Sequence, residues 1–344
     1  MHDPVTQTGE WLKSVAYSDL AIPLMFLTLA QWATLTVTPN AAHSAFPLLM
    51  IMLYCVALLQ RTRLLRYGSV LALNFLLIYT GFGVFMGIVT LAVFALERYW
   101  SWRSGSRGDF ALSIPAFLIA AASLASFFVH YTFWPAVDCF VFPYHPVTAY
   151  AWFMALMFWG FVGHTHHWIL GTVVGALILG LAFVAFGAQL RRLLTRNRPP
   201  DRYIVRAVLL GFSLLFIANT AVGRVCLGRE GAAASRYATL MIPVFLAMYF
   251  YLLSFSSIRI GRFALVLFVL LLIPSAVAVR TGARTNTDGK RAWVSCYRRT
   301  EDINYCDRST NFKVDPSPEY DHLKEKLDYL KQYHLNLFAS STTK

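Results

Sequence analysis

Charge is scarce in this sequence. Only 14% of its 344 residues are Asp, Glu, Lys or Arg, where a soluble domain carries about 25%. Acids are scarcer still: 17 Asp and Glu stand against 30 Lys and Arg, giving a formal net charge of +13. This shortage excludes an ordinary soluble enzyme and a disordered chain. It also excludes a nucleic-acid module, which would need its Lys and Arg on a polar surface. Other absences narrow the chemistry. There is no Walker A, H-E-x-x-H, G-x-S-x-G, dinucleotide-binding glycine pattern or haem-attachment motif, so nothing implies a cofactor. No C-x-x-C pair occurs, and no zinc spacing with it. No internal repeat is visible, which leaves the inverted-repeat transporters without support.

What fills the chain is apolar. Hydrophobic residues make up 57% of it, and the mean hydropathy is +0.54. Apolar stretches long enough to approach a ~30 Å hydrocarbon core lie at 19–38, 44–60, 68–97, 110–129, 149–163, 167–190, 203–222, 237–255 and 262–279. The expected fold class is therefore all-α, a polytopic transmembrane bundle over 1–279, followed by a polar tail over 280–344. Residues 1–18 are polar, carry Asp3 and Glu10, and do not resemble the basic start of a signal peptide.

Short loops rich in Lys and Arg stay cytoplasmic. Four loops qualify: Arg61, Arg63, Arg66; Arg98, Arg103, Arg107; Arg191, Arg192, Arg196, Arg198, Arg202, Arg206; and Arg259, Arg262. The stretch from His130 to His167 has no Lys or Arg and belongs outside. Both ends of 68–97 are then cytoplasmic, so this run must be a hairpin turning at Tyr79–Gly83, where Gly81 and Gly83 permit the turn. Segment 149–163 cannot also cross. It is short and rich in Trp and Phe, and reads as an interfacial or re-entrant helix on the outer face. The result is nine spans with the N-terminus inside and the tail outside; ten spans with the opposite orientation fit the loops less well. The location expected is a bacterial inner membrane.

Cys55 lies within a span. The other four cysteines, Cys139, Cys226, Cys296 and Cys306, fall outside in this topology, where disulfides form. Cys296–Cys306 is the first pairing expected, which leaves Cys139–Cys226 to join two outer loops. The tail has twelve basic and nine acidic residues and nearly neutralises itself. Ser317 and Pro318 are expected to open a helix with Leu323, Leu327 and Leu330 on one side, packing on the membrane face of the protein.

Three basic residues remain without a topological reason: Arg224, Arg229 and Arg236, in the outer loop Gly223–Tyr237. Guanidinium groups bind phosphate in planar, bidentate fashion. A lipid-carrier phosphate, ordinary phospholipid head groups, or pairing with Asp138 and Glu230 would each account for them. Asp138 and Glu230 are also the only outer-loop acids before the tail, so a catalytic carboxylate would be one of these or one in the tail. The histidines His130, His145, His164, His166 and His167 gather outside but have no carboxylate or cysteine beside them, and read as interfacial rather than metal-binding. Asn74, Gly81 and Gly83 are polar or unwound features at membrane depth, which line a cavity or serve packing.

Several of these pieces resemble a bacterial family of polytopic membrane proteins with no assigned activity. They are Ser18-Asp19 with Pro23, Gln31-Trp32, Pro39-Asn40 with His43 and Pro47, Asn74 with Gly81-Phe82-Gly83, His145-Pro146, Gly223-Arg224 with Ser235-Arg236-Tyr237, and the closing helix around Leu323, Lys326, Leu327 and Leu330. Longer members look like integral-membrane glycosyltransferases that use polyprenyl-phosphate sugars. In those enzymes the catalytic carboxylate sits in an acidic loop after the first span. Here that loop, Thr38–His43, is short and has no acid. The resemblance thus implies a non-catalytic member, or one whose catalytic part lies elsewhere. An accessory subunit of an envelope complex is the alternative, with membrane subunits as partners. A transporter or flippase is the third reading, resting on Asn74 and the hairpin.

Overall fold

The computed structural model describes residues 17–32, 34, 41–129, 131, 145–162, 168–195, 199–255, 259–278, 280–315 and 322–338. Among them every regular element is helical. The chain divides into two compact units, Met1–Val279 and Arg280–Lys344.

The first unit holds α1 (Ala21–Phe26), α2 (Phe46–Leu58), α3 (Arg63–Ile78), α4 (Val84–Arg103), α5 (Arg107–Phe128), α6 (Val147–Val162), α7 (Trp168–Thr195), α8 (Asp201–Arg224), α9 (Gly228–Ala232), α10 (Ala238–Leu253) and α11 (Arg259–Ala278). Five stretches among the described residues are long and apolar enough to cross a membrane: Val84–Arg103, Phe110–Phe128, Trp168–Thr195, Asp201–Ala232 and Ser235–Leu253. Ala21–Gln31, Ala42–Leu58, Val147–Val162 and Gly261–Pro274 are apolar but shorter. Large side chains stay outward, with Leu177 69% and Phe263 70% exposed. Such apolar surface suits lipid and not water.

The run 68–97 is two helices, α3 and α4, joined at Tyr79–Gly83. Gly81 takes φ +77°, and at Gly83 a Cβ would collide with the Leu77 carbonyl oxygen. Neither position admits a side chain. α8 and α10 form the middle of the bundle. The window within Ser235–Leu253 is 78% buried, against 17% for Phe110–Phe128 at the periphery. Ser213 Oγ donates to the Leu240 carbonyl across α8 and α10 (3.3 Å).

Segment 149–163, expected as an interfacial or re-entrant helix, forms α6. α6 is buried continuously from Ala155 to Val162. Its Phe161 stacks on Phe245 of α10 with ring centroids 4.1 Å apart, and Phe158 meets the same ring edge-on. An interfacial helix keeps one polar face outward; α6 has none. Its aromatic residues are core residues.

The second unit contains α12 (Arg280–Thr300), α13 (Ile303–Thr310) and α14 (Leu323–Gln332). Asp302 caps α13 by accepting from the Tyr305 backbone N–H (2.8 Å). Cys296 and Cys306 form a disulfide, and with Trp293, Tyr297 and Leu327 they make a small core. Leu327 of α14 is buried in this core and Leu323 packs against it. A unit this small buries too little apolar surface to spare these side chains. Ser317 and Pro318 lie outside the described residues.

Candidate functional site

The loop Gly223–Tyr237 is built from short turns. Arg224 ends α8, Val225–Leu227 is one 3-10 turn, α9 carries Arg229 and Glu230, and Ser235–Tyr237 is a second 3-10 turn leading into α10. Arg224 is half-buried, while Arg229, Glu230 and Arg236 are exposed. The Arg229 guanidinium lies 5.8 Å from the Trp168 ring centroid, and that of Arg236 lies 5.2 Å from the ring of Tyr237. Among the described residues no carboxylate comes within 4.0 Å of any of the three arginines. Glu230 therefore does not pair with Arg229, and that part of the pairing alternative is removed. Cys226, in the same loop, is disulfide-bonded. Asp138 and Cys139 lie outside the described residues.

Beneath the loop runs a buried polar seam. Thr239 Oγ1 donates to Gln31 Oε1 (3.0 Å) and lies 2.9 Å from Thr34 Oγ1. Thr34 in turn lies 3.1 Å from Ser44 Oγ, and Gln31 Nε2 donates to the Phe26 carbonyl (2.5 Å). Polar groups buried this deeply need partners, and here they find one another across three segments. At the other end of α10, Tyr249 donates its hydroxyl proton to Asp19. The chain thus runs antiparallel to α10 from Asp19 to Thr34.

The hairpin turn reaches the same region. A Cβ at Gly81 would stand 3.4 Å from His43 Nδ1. Phe82 meets Phe216 edge-on at 5.1 Å, and Phe216 meets Tyr237 at 6.2 Å. Gln31, His43, Gly81, Phe82 and Tyr237, scattered in sequence, are joined by this chain of contacts. Asn74 is not part of it. It is fully buried in α3, and among the described residues neither its Oδ1 nor its Nδ2 has a hydrogen-bond partner.

The opposite end of α8 holds a cluster that the loop charges do not reveal. Arg66 Nη2 lies 3.2 Å from Glu97 Oε1, and Arg66 Nη1 lies 3.6 Å from Asp201 Oδ1. Tyr67 donates its hydroxyl to Glu97 (3.4 Å). The Arg66 side chain is 6% exposed and that of Glu97 13%. The sequence signal was there: Glu97 and Asp201 are acids at the ends of apolar runs, next to loops otherwise dominated by arginine.

Among the described residues no three His, Cys, Asp or Glu gather as metal ligands. His145 packs its ring against Tyr150, 6.2 Å away; His130, His164, His166 and His167 lie outside the described residues. Comparison with protein-family models, with curated proteins and with solved structures gave no match to this chain. The chemistry of this loop therefore rests on its side chains alone. They offer guanidinium donors, hydroxyls and an amide.

Proposed function

We propose that the chain is a bacterial inner-membrane protein related to the polyprenyl-phosphate-dependent glycosyltransferases. Its role is to hold a lipid-linked phosphate at the outer membrane surface rather than to transfer the sugar. One observation carries the reading: Arg224, Arg229 and Arg236 have no carboxylate within 4.0 Å among the described residues. Unneutralised guanidiniums at a membrane surface are matched to phosphate oxygens. In this arrangement the chain crosses nine times, by the five long stretches, the shorter apolar helices other than α6, and α3, with its tail outside. The polar seam of Gln31, Thr34, Ser44 and Thr239 holds the loop in place from below.

A saturation assay with a short-chain polyprenyl phosphate in detergent micelles tests this. Wild type should bind saturably, and Arg236→Ala should bind at least about tenfold more weakly, the loss of one charge-assisted contact. Equal, negligible binding to both would overturn the reading.

The disulfide-tied second unit, with a core of its own, favours a second reading. In it the chain is an accessory subunit of an envelope complex and the tail is its docking part. Purification in mild detergent separates the two, because a lone monomer with no stoichiometric partner chain counts against the accessory role.

A further inference from the structure

The second unit carries a groove of about 530 Å³ lined by Lys290, Arg291, Val294, Ser295, Arg298 and Arg299. All six lie on one side of α12, since they repeat at four-residue intervals along it. The cations stand in two pairs at the ends, about 12 Å apart by helical rise, with Val294 and Ser295 between.

Two of the guanidiniums are held in place. Arg298 Nε donates to the Leu337 carbonyl (2.7 Å), and Arg299 Nε donates to the Ser295 carbonyl (3.2 Å). Each tether fixes the plane of the group and leaves its two terminal nitrogens free. Nearby acids are engaged elsewhere. Glu301 takes Lys331 at 2.6 and 2.8 Å, Asp307 accepts from Trp293 Nε1 (2.7 Å), and Asp302 caps α13. Among the described residues no carboxylate lies within 4.0 Å of Arg291, Arg298 or Arg299. Partial burial lowers the pKa of Lys290, and the arginines stay charged.

We infer that this groove is a second phosphate-binding site, formed within the tail and sharing no residue with the outer arginine loop. Pre-oriented guanidiniums without internal counter-ions recognise phosphate by paired N–H···O bonds. The occupant is a phosphate ester or pyrophosphate, carried on a lipid head group or on a soluble molecule. The site stands whether or not the outer loop binds a lipid carrier.

The test uses the full chain in nanodiscs and inorganic pyrophosphate as the probe, followed by titration calorimetry. Wild type should bind, and Arg298→Gln/Arg299→Gln should bind at least about tenfold more weakly. Arg308→Gln/Lys324→Gln, which removes the same charge elsewhere in the unit, should match wild type. Arg224→Gln/Arg229→Gln/Arg236→Gln should retain this binding, which separates the site from the outer loop. Phosphatidylglycerol discs that compete with pyrophosphate, where phosphatidylcholine discs do not, mark a lipid head group as occupant; equal binding in both marks a soluble phosphate. Arg298→Lys/Arg299→Lys keeps the charge but loses the fork, and should fall between wild type and the Gln pair. No binding to wild type, or equal loss in both Gln pairs, would overturn the inference.

Discussion

Arg66 illustrates how far a single side chain can differ from its place in a charge count. The sequence puts it in a cytoplasmic loop with Arg61 and Arg63, because the apolar run begins at residue 68. In the structure α3 begins at Arg63, so Arg66 lies inside the helix and turns inward to Glu97 and Asp201. Removing Arg66 leaves Glu97 buried and uncompensated, at a cost of about 3–5 kcal/mol. Arg66→Met should therefore lower thermal stability in detergent by several degrees or more. Adding Glu97→Leu should recover most of the loss, because an apolar pair of similar volume replaces a buried ion pair at little cost. Melting followed by tryptophan fluorescence checks both. Arg224, Arg229 and Arg236 stand out in the sequence because they break the expected positive-inside pattern. Arg66 does not, because it obeys that pattern while doing something else.

At the scale of elements, the α3–α4 break could be read from arginine placement and two glycines. The position of α6 could not. A helix that is apolar all round has no periodic face to read, and Trp and Phe suit a membrane interface and a protein core equally. What distinguishes them is the neighbouring helix. A Cβ at Gly175 of α7 would collide with the carbonyl oxygen of Ala155 in α6. The two backbones touch, and only a residue without a side chain allows it. Gly175→Leu should force α6 away from α7 and destabilise the bundle by about 1–3 kcal/mol or more, the usual cost of overpacking. Thermal aggregation of the detergent-solubilised variant measures this. Gly180→Leu, where a Cβ would meet no atom within 4 Å, should be nearly neutral on the same assay.

For the whole molecule, composition and loop charges carried the class: a helical, apolar bundle followed by a polar unit. Which residues meet across it was legible only in pieces. Gln31 meets Thr239 over 208 positions, a pairing that no local pattern encodes. Orientation is the claim that belongs to this scale. Green fluorescent protein fused after Ser104, between α4 and α5, should fluoresce, and alkaline phosphatase fused there should be inactive. At Lys344 the two reporters should behave oppositely. The reverse result at both sites would overturn the assigned orientation. The inner ion cluster adds a constraint in time. Glu97 follows Arg66 closely, but Asp201 comes 135 positions later. At a synthesis rate of ~5–20 residues per second, Arg66 waits roughly 7–27 seconds for the second carboxylate. During that interval the first helices hold a partly compensated charge at their inner end, so α8 acts as the closing piece of the assembly as well as its centre.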